Sequence, residues 1–385
     1  MRPEEGRSSS GNGAVHPWFT VGADRVRLLR DGREAFPAMV AAIDEAEREV
    51  LLEMYWIGAD AAGEMFRAAL AAAARRGVTV RVIYDSLGSF DLWPGWWEPV
   101  TAAGGEVIEF HPVSPLRREF KVKLLEQRDH RKVLVIDGRV AFTGGINLSH
   151  EWLPPEQGGL GWRDDNVAVE GPAAEELRTL FYRTRRRFVR EPIPADVTPI
   201  LRKHPRPVWV LASRALPQRL LHREYVQRIQ HARASVEIAN SYFVPNMRVR
   251  RALARAVARG VRVRVLVPER GDVLAVQFAV EALFDTLLRR GVEIYTLPGP
   301  MLHAKTAIID DVFTTIGSYN LDERSWRKNL EVNLAVLDAP FARHVRGWFD
   351  QDVARARRVD LATWRQRSWG RMTGELLART LGKLW

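Results

Sequence analysis

The feature that most constrains this chain is a motif that occurs twice. His130-Arg131-Lys132-Val133-Leu134-Val135-Ile136-Asp137 is followed, after six residues, by Gly144-Gly145-Ile146-Asn147. His303-Ala304-Lys305-Thr306-Ala307-Ile308-Ile309-Asp310 is followed, again after six, by Gly317-Ser318-Tyr319-Asn320. Both read H-x-K-x4-D-x6-G-[GS]-x-N, each on an apolar, β-rich run. Two copies at one spacing point to a duplicated unit rather than to chance. In a strand, residues i and i+2 face the same way, so each His points with its Lys while the Asp has the opposite parity. The Asp residues stand where the strands are expected to end, at Asp137-Gly138 and Asp310-Asp311. Turn formation and a direct chemical role are both open to them.

The repeat extends well beyond the motif. Phe36 to Val50 reads as an amphipathic helix, Val50 to Trp56 as a buried strand, Gly63 to Arg76 as an Ala-rich helix stopped at Gly77, and Val78 to Tyr84 as the next strand. After residue 220 the same order returns: Tyr225, Ile229, Ala232 and Val236 repeat the helix face, and Ile238 to Phe243 the strand. Arg259-Gly260-Val261-Arg262 then echoes Arg76-Gly77-Val78-Thr79. This rhythm predicts two similar α/β halves, each a mixed sheet flanked by helices. Boundaries are expected at a disordered leader 1–16, an N-terminal half 17–190, a Pro-rich linker 191–207, a C-terminal half 208–356 and a tail 357–385. In the tail, Trp369, Met372, Leu376 and Leu384 recur near helical spacing among Arg371, Arg379 and Lys383. That is the pattern of a basic helix lying on a membrane or docked on the protein.

The chain has no cysteine, which excludes disulfides, thiol nucleophiles and thiolate metal sites. No signal peptide and no membrane-spanning run are recognisable, so a cytoplasmic location is expected. A formal net charge of +11 calls for anionic partners, either nucleic acid or a membrane rich in acidic lipid. Near the start of the first half, Phe90-Asp91-Leu92-Trp93-Pro94-Gly95-Trp96-Trp97 clusters three Trp in an expected loop, readable as core, lid or membrane anchor. A second loop, His111 to Lys123, interleaves Arg117, Arg118, Lys121 and Lys123 with Leu116 and Phe120.

Neither motif has zinc spacing, because Lys stands beside each His and is a poor ligand at neutral pH. Nor is there a nucleophile-elbow Ser. The pair suits phosphoryl transfer with no metal and no cofactor. A neutral imidazole attacks phosphorus and a protonated one donates to the departing oxygen. The two Lys and the amides of Asn147 and Asn320 neutralise and orient the non-bridging oxygens.

On these residues the chain resembles the phospholipase D superfamily, from about Val21 to Ala356. The resemblance implies halves packed sheet to sheet about a pseudo-twofold axis with one shared active site, and a covalent phosphohistidine intermediate. It implies catalytic roles for His130, Lys132, Asp137, His303, Lys305 and Asp310, with His130 the nucleophile and His303 the acid and base, roles that sequence symmetry alone leaves unassigned. Asn320-Leu321-Asp322-Glu323-Arg324-Ser325, Asn329-Leu330-Glu331-Val332-Asn333 and Tyr242-Phe243-Val244-Pro245 look like the bacterial cardiolipin synthase pattern, of the short type without N-terminal membrane-spanning helices. In that pattern Trp162-Arg163-Asp164 occupies the corresponding place of the first copy, and Asp164 and Glu331 orient the two His. The first copy departs from the second in carrying Gly145, so Ser318 alone can offer a hydroxyl to phosphate.

The implied activity is a peripheral phosphatidyltransferase on the cytoplasmic face of the membrane. It would use phosphatidylglycerol as donor and acceptor on an anionic phospholipid surface, with no nucleic acid and no obligate protein partner. A water-accepting phospholipase D shares every catalytic residue. A nuclease is the alternative compatible with the charge, although small nucleases of the superfamily generally carry one motif per chain. A non-catalytic scaffold is disfavoured because both motifs are intact.

Overall fold

The structure, a computed structural model, describes residues 16–117, 119–197, 206–212 and 219–366. The first half runs β1 (Phe19–Val21), β2 (Asp24–Arg30), α1 (Asp31–Asp44), β3 (Glu49–Met54), α2 (Ala61–Arg75), β4 (Thr79–Asp85), α3 (Glu98–Thr101) and β5 (Glu106–Phe110). It closes with β6 (Lys132–Ile136), β7 (Val140–Gly144), β8 (Asp165–Glu170) and α4 (Pro172–Arg185). The second half runs β9 (Val208–Ala212), α5 (Arg219–His231), β10 (Ser235–Asn240), α6 (Met247–Ala258), β11 (Arg262–Pro268), α7 (Leu274–Leu288) and β12 (Glu293–Leu297). Then come β13 (Lys305–Ile309), β14 (Phe313–Gly317), α8 (Glu323–Arg327), β15 (Val332–Leu337), α9 (Ala339–Arg355), β16 (Arg357–Arg358) and α10 (Leu361–Arg365).

Each half contributes one eight-stranded sheet, in the orders β1-β2-β8-β7-β6-β3-β4-β5 and β16-β12-β11-β10-β13-β14-β15-β9. Without the edge strands β1 and β16 the two orders match element by element, so topology is duplicated along with sequence. In each sheet three strands are parallel, β3, β4 and β5 or β10, β11 and β12. The motif strand, β6 or β13, runs antiparallel to the first of them. The carboxyl ends of the parallel strands and the amino ends of the motif strands therefore share one edge, the usual place for a ligand site in such sheets.

Strand alternation decides what each sheet face buries. On β6, Val133 and Val135 join a central apolar cluster with Val167, Ile308, Ile316 and Leu334, drawn from both sheets and closed by α4 and α9. Leu134 and Ile136 point the other way, into a cluster under α1 and α2. A third cluster lies beneath α5, α6 and α7 in the second half. The halves thus meet through one continuous core, as expected of sheet-to-sheet packing. Local signals set α2 as well: Asp60 caps it by accepting from the Ala62 and Gly63 amides, and Gly77, at φ 87°, takes the left-handed turn that ends it.

Several boundaries differ from the sequence expectation. The first helix begins at Asp31 and ends at Asp44, burying Ala35, Phe36, Met39 and Ile43, while Val50 belongs to β3. His16 is no part of a free leader: it is buried against His344 and Trp348. The described part of the Pro-rich segment is held to α4 by Arg185–Glu191 and Arg178–Asp196 ion pairs, both at 2.7–2.9 Å. The second sheet continues past Ala356, because β16 pairs with β12 and Trp364 of α10 packs on Phe284. The tail helix expected at Trp369 to Trp385 lies outside the described residues.

Candidate active site

The amino ends of β6 and β13 bring the two motifs to a single cavity of about 370 Å³. Tyr55, His130, Asn147 and Trp162 line it from the first half, and Tyr242, His303, Asn320, Asp322 and Arg324 from the second. Two short parallel bridges hold the halves in register here, Asp129 with Leu330 and Arg163 with Leu302. Through them the His130 amide donates to the Leu330 carbonyl at 3.0 Å and the His303 amide to the Arg163 carbonyl at 2.7 Å. Each catalytic candidate is thus fixed by backbone of the opposite half.

The acids cross over in the same way. His130 Nδ1 lies 3.0–3.1 Å from the carboxylate oxygens of Glu331, and His303 Nδ1 lies 2.8 Å from Asp164 Oδ2. The acid engages Nδ1 of each ring, so Nε2 is the atom left for chemistry, and at His303, whose Asp164 stays ionised, it fixes the Nδ1–H tautomer. Both acids are fully buried. Their environments differ. Burial pushes the Glu331 carboxyl up to about 8 against the opposing pull of Lys132. Burial also acts on Asp164, but His303, Lys305 and the Trp152 indole outweigh it and hold the group below its ordinary value. Burial followed by the two ammonium groups drives His130 well below the ordinary imidazole range. His303 is lowered by burial and Lys305, with Asp164 opposing.

The two Lys are near-replicas. Lys132 Nζ donates to the His130 carbonyl at 2.8 Å and sits 4.9 Å from the centre of the Tyr55 ring. Lys305 Nζ donates to the His303 carbonyl and, at 2.9 Å, to Ser241 Oγ, and lies 5.9 Å from the Tyr242 ring. Desolvation lowers Lys132 to about 7 and Lys305 to about 8. The Asn side chains also correspond. Asn147 Oδ1 accepts from the Trp56 amide at 3.2 Å and Asn320 Oδ1 from Ser241 Oγ at 3.0 Å, which turns each NH2 group away for an anion.

Three expected site residues are elsewhere. Asp137 and Asp310 sit at the far ends of β6 and β13, roughly 16 Å along the strand from the lysines. Both have positive φ, 55° and 56°, and both serve the turn. The Asp137 carboxylate accepts from the amides of Glu47, Arg48 and Glu49, and that of Asp310 from those of Arg233, Ala234 and Ser235. Each motif Asp thus ties the loop entering β3 or β10 to the motif strand. Ser318 is the third: its hydroxyl donates to Glu331 Oε2 at 2.5 Å and accepts from the Val332 amide, so it supports the acid and not a phosphate. The counterpart Gly145 follows from the same geometry, since a Cβ there would lie 2.1 Å from Asp164 Oδ1. The shorter acid lies against bare backbone, while the longer one rests on a hydroxyl.

Replacing Asp137 with Ala is expected to remove about 2–3 kcal/mol of stability, the worth of three charge-assisted bonds to buried and part-buried amides, and to leave turnover per folded molecule unchanged. Denaturant melts and specific activity check this. Burial opposes ionisation of Asp137, but its backbone donors prevail and depress the folded-state pKa. The stabilisation is therefore present above the unfolded carboxyl pKa and disappears as pH falls through the folded one.

Sequence reasoning did not single out Tyr55 or Trp152. Tyr55 stacks edge-on against His130 with centroids 4.7 Å apart, and Trp152 packs on His303 at 5.2 Å while donating Nε1–H to Asp164 at 2.9 Å. The duplication carried little signal for Tyr55, because strand register matches Met54 with Asn240 and so sets Tyr55 at Ser241, one place before Tyr242. Asp322 and Arg324, quoted only as part of a pattern, also line the cavity, and burial raises the Asp322 carboxyl to about 6.

A family model described as the cardiolipin synthase, phospholipase D-like domain matches residues 39–182 and 225–353, one segment in each half. The chain belongs to the cardiolipin synthase family of phospholipase D-like enzymes. Within that family it is 32% identical over 370 residues to cardiolipin synthase B of Escherichia coli, covering 92% of this chain and 87% of that one. It is 31% identical over 364 residues to the probable cardiolipin synthase YwiE of Bacillus subtilis, covering 92% and 71%. Among solved structures, phosphatidylserine synthase of Haemophilus influenzae superposes with a TM-score of 0.71 over 96% of this chain and 94% of its own, at 14% identity, a likeness of fold. Polyphosphate kinase of Porphyromonas gingivalis shares the fold at a TM-score of 0.57 over 88% of this chain and 49% of its own, at 16% identity. Among the described residues no helix is long and apolar enough to cross a membrane.

Proposed function

We propose that the protein makes cardiolipin by transferring a phosphatidyl group from one phosphatidylglycerol to another. The observation that carries this reading is the crossed pair of His–acid contacts on one cavity, in a chain whose relatives are named cardiolipin synthases. His130 Nε2 attacks phosphorus, the bond to the headgroup glycerol breaks, and His303 Nε2 gives its proton to the departing oxygen. His303 then takes the proton of the acceptor's glycerol hydroxyl, the new P–O bond forms, and the P–Nε2 bond to His130 breaks. The assignment of roles follows the family resemblance and accords with the acids, since His303 faces Asp164, which is held below its ordinary value, whereas the Glu331 that faces His130 is raised. Lys132, Lys305 and the amides of Asn147 and Asn320 supply four donor groups for the non-bridging oxygens. The enzyme would work as a peripheral protein on the cytoplasmic face of the membrane.

The test is incubation of the purified protein with phosphatidylglycerol vesicles, followed by lipid mass spectrometry. Cardiolipin with free glycerol is the expected product; phosphatidic acid alone would make water the acceptor, and no lipid product would overturn the reading. EDTA is expected to leave the rate unchanged. Loss of activity with chelator would contradict a metal-free reaction and point to Asp60, His150 and Glu151, which among the described residues could share an ion.

A further inference from the structure

We propose that the edge of the sheets bearing the cavity mouth is itself the bilayer-contacting face, seated on the membrane by apolar residues of three separate loops. The inference rests on the lipid-substrate reading above and assigns it a surface. The loop after β4 carries Phe90, 77% exposed, and Trp93, 51% exposed. The loop after β5 carries Leu116 at 95% and Val122 at 71%, and the loop after β11 leads to Leu274 at 63%. All three loops leave the carboxyl ends of parallel strands, the edge on which His130 and His303 stand. Phe90 and Val273, the neighbour of Leu274, line the cavity from opposite halves, so the apolar residues flank its mouth on both sides.

The Trp cluster divides accordingly. Trp96 and Trp97 are buried in the first half's core, whereas Trp93 turns outward. The base of this loop is firm: Asp85 accepts from the amides of Leu87, Gly88 and Asp129, and Ser86 Oγ accepts from the Val113 amide of the neighbouring loop. Apolar tips on an anchored base present a fixed wedge to lipid tails.

Basic side chains accompany these apolar tips. Lys121 and Lys123 are exposed beside Val122, where they would meet anionic headgroups. The opposite edge carries Asp137, Asp310, Asp311 and Asp338 at its turns together with the exposed Arg48, Arg76, Arg139, Arg233 and Arg259, and its exposed apolar residues among the described ones are Val312 at 40% and Leu337 at 41%. Large exposed apolar side chains, and not net charge, distinguish the first edge as the seat for a fluid bilayer.

The absence of cysteine from the chain makes the test direct. Single-cysteine variants Trp93→Cys, Leu274→Cys and, at the opposite edge, Val312→Cys of the full chain are labelled with a polarity-sensitive fluorophore. Each is then mixed with phosphatidylglycerol–phosphatidylcholine vesicles. The labels at 93 and 274 are expected to shift to the blue, brighten about threefold and be quenched by bromine-bearing acyl chains, while the label at 312 stays silent. Silent labels at 93 and 274 on vesicle-bound protein, or an equal response at 312, would overturn the proposal. So would a response that needs high protein concentration and no lipid, which would mark a contact between copies. The triple variant Trp93→Ser, Leu116→Ser, Leu274→Ser, with an unchanged thermal melt, is expected to bind these vesicles about tenfold more weakly. Unaltered vesicle binding would count against the proposal. Turnover of water-soluble short-chain phosphatidylglycerol by the unmodified protein separates the two readings. Turnover with silent labels removes the docking face alone, and responsive labels without any lipid product remove the phosphatidyltransferase reading alone.

Discussion

His130→Ala is expected to abolish phosphatidyl transfer, with a loss of at least about 10⁴-fold, because it removes the imidazole that forms the covalent intermediate. His303→Ala is expected to be nearly as damaging with phosphatidylglycerol, whose alkoxide leaving group needs a proton. The two variants should separate on a phosphatidyl ester of a nitrophenol, since a phenolate departs without an acid. His303→Ala should then release close to one equivalent of phenol in a burst and accumulate phosphatidyl on His130, recoverable under alkaline quench. His130→Ala should give no burst. The reverse pattern would exchange the two roles, and normal steady-state turnover in either variant would sink the covalent mechanism. The asymmetry has a local origin: the acid facing His303 keeps its charge, whereas burial raises the one facing His130.

Asp164→Asn is expected to cost about 10³-fold in turnover, and Glu331→Gln only about tenfold. The Asp164 carboxylate meets donors alone: Oδ2 accepts from His303 Nδ1 and Trp152 Nε1, and Oδ1 from the Asp165 amide. Whichever way an Asn is turned, its NH2 group opposes a buried N–H, and the charge that favours a protonated His303 is gone. Glu331 is different, since its carboxyl is already raised to about 8 and its second partner is the Ser318 hydroxyl, which can accept from an amide. A Gln there keeps an oxygen for His130 Nδ1. Steady-state rates with the thermal melt of each variant measure the contrast; equal losses would mean that both acids act by charge alone.

What could be read beforehand follows from range along the chain. The His-x-Lys pairs and the α/β duplication are local and repeated, so periodicity and spacing exposed them. The pairing of His130 with Glu331 spans 201 residues and depends on how two sheets dock, which no local pattern encodes. Asp137 and Asp310 show the converse hazard. They recur at fixed distance from the His because the turn needs a carboxylate at positive φ, and a structural requirement repeats as faithfully as a chemical one. The exposed loop was mixed in the same manner: composition grouped Trp93 with Trp96 and Trp97, and only packing separated an outward residue from two in the core.

The crossed acids bear on what happens when synthesis or folding stops halfway. A nascent first half can complete its sheet and present His130 and Lys132, yet it lacks both the acid that meets His130 Nδ1 and the second imidazole, His303. The second half alone is in the same condition with respect to Asp164. On the proposed mechanism, reactivity toward phosphodiesters therefore requires closure of the molecule, because a truncated or misassembled chain holds one imidazole of the two. For a protein proposed to cut and rejoin the lipids of its own cell, that is a safeguard written into connectivity, requiring no inhibitor and no separate checkpoint.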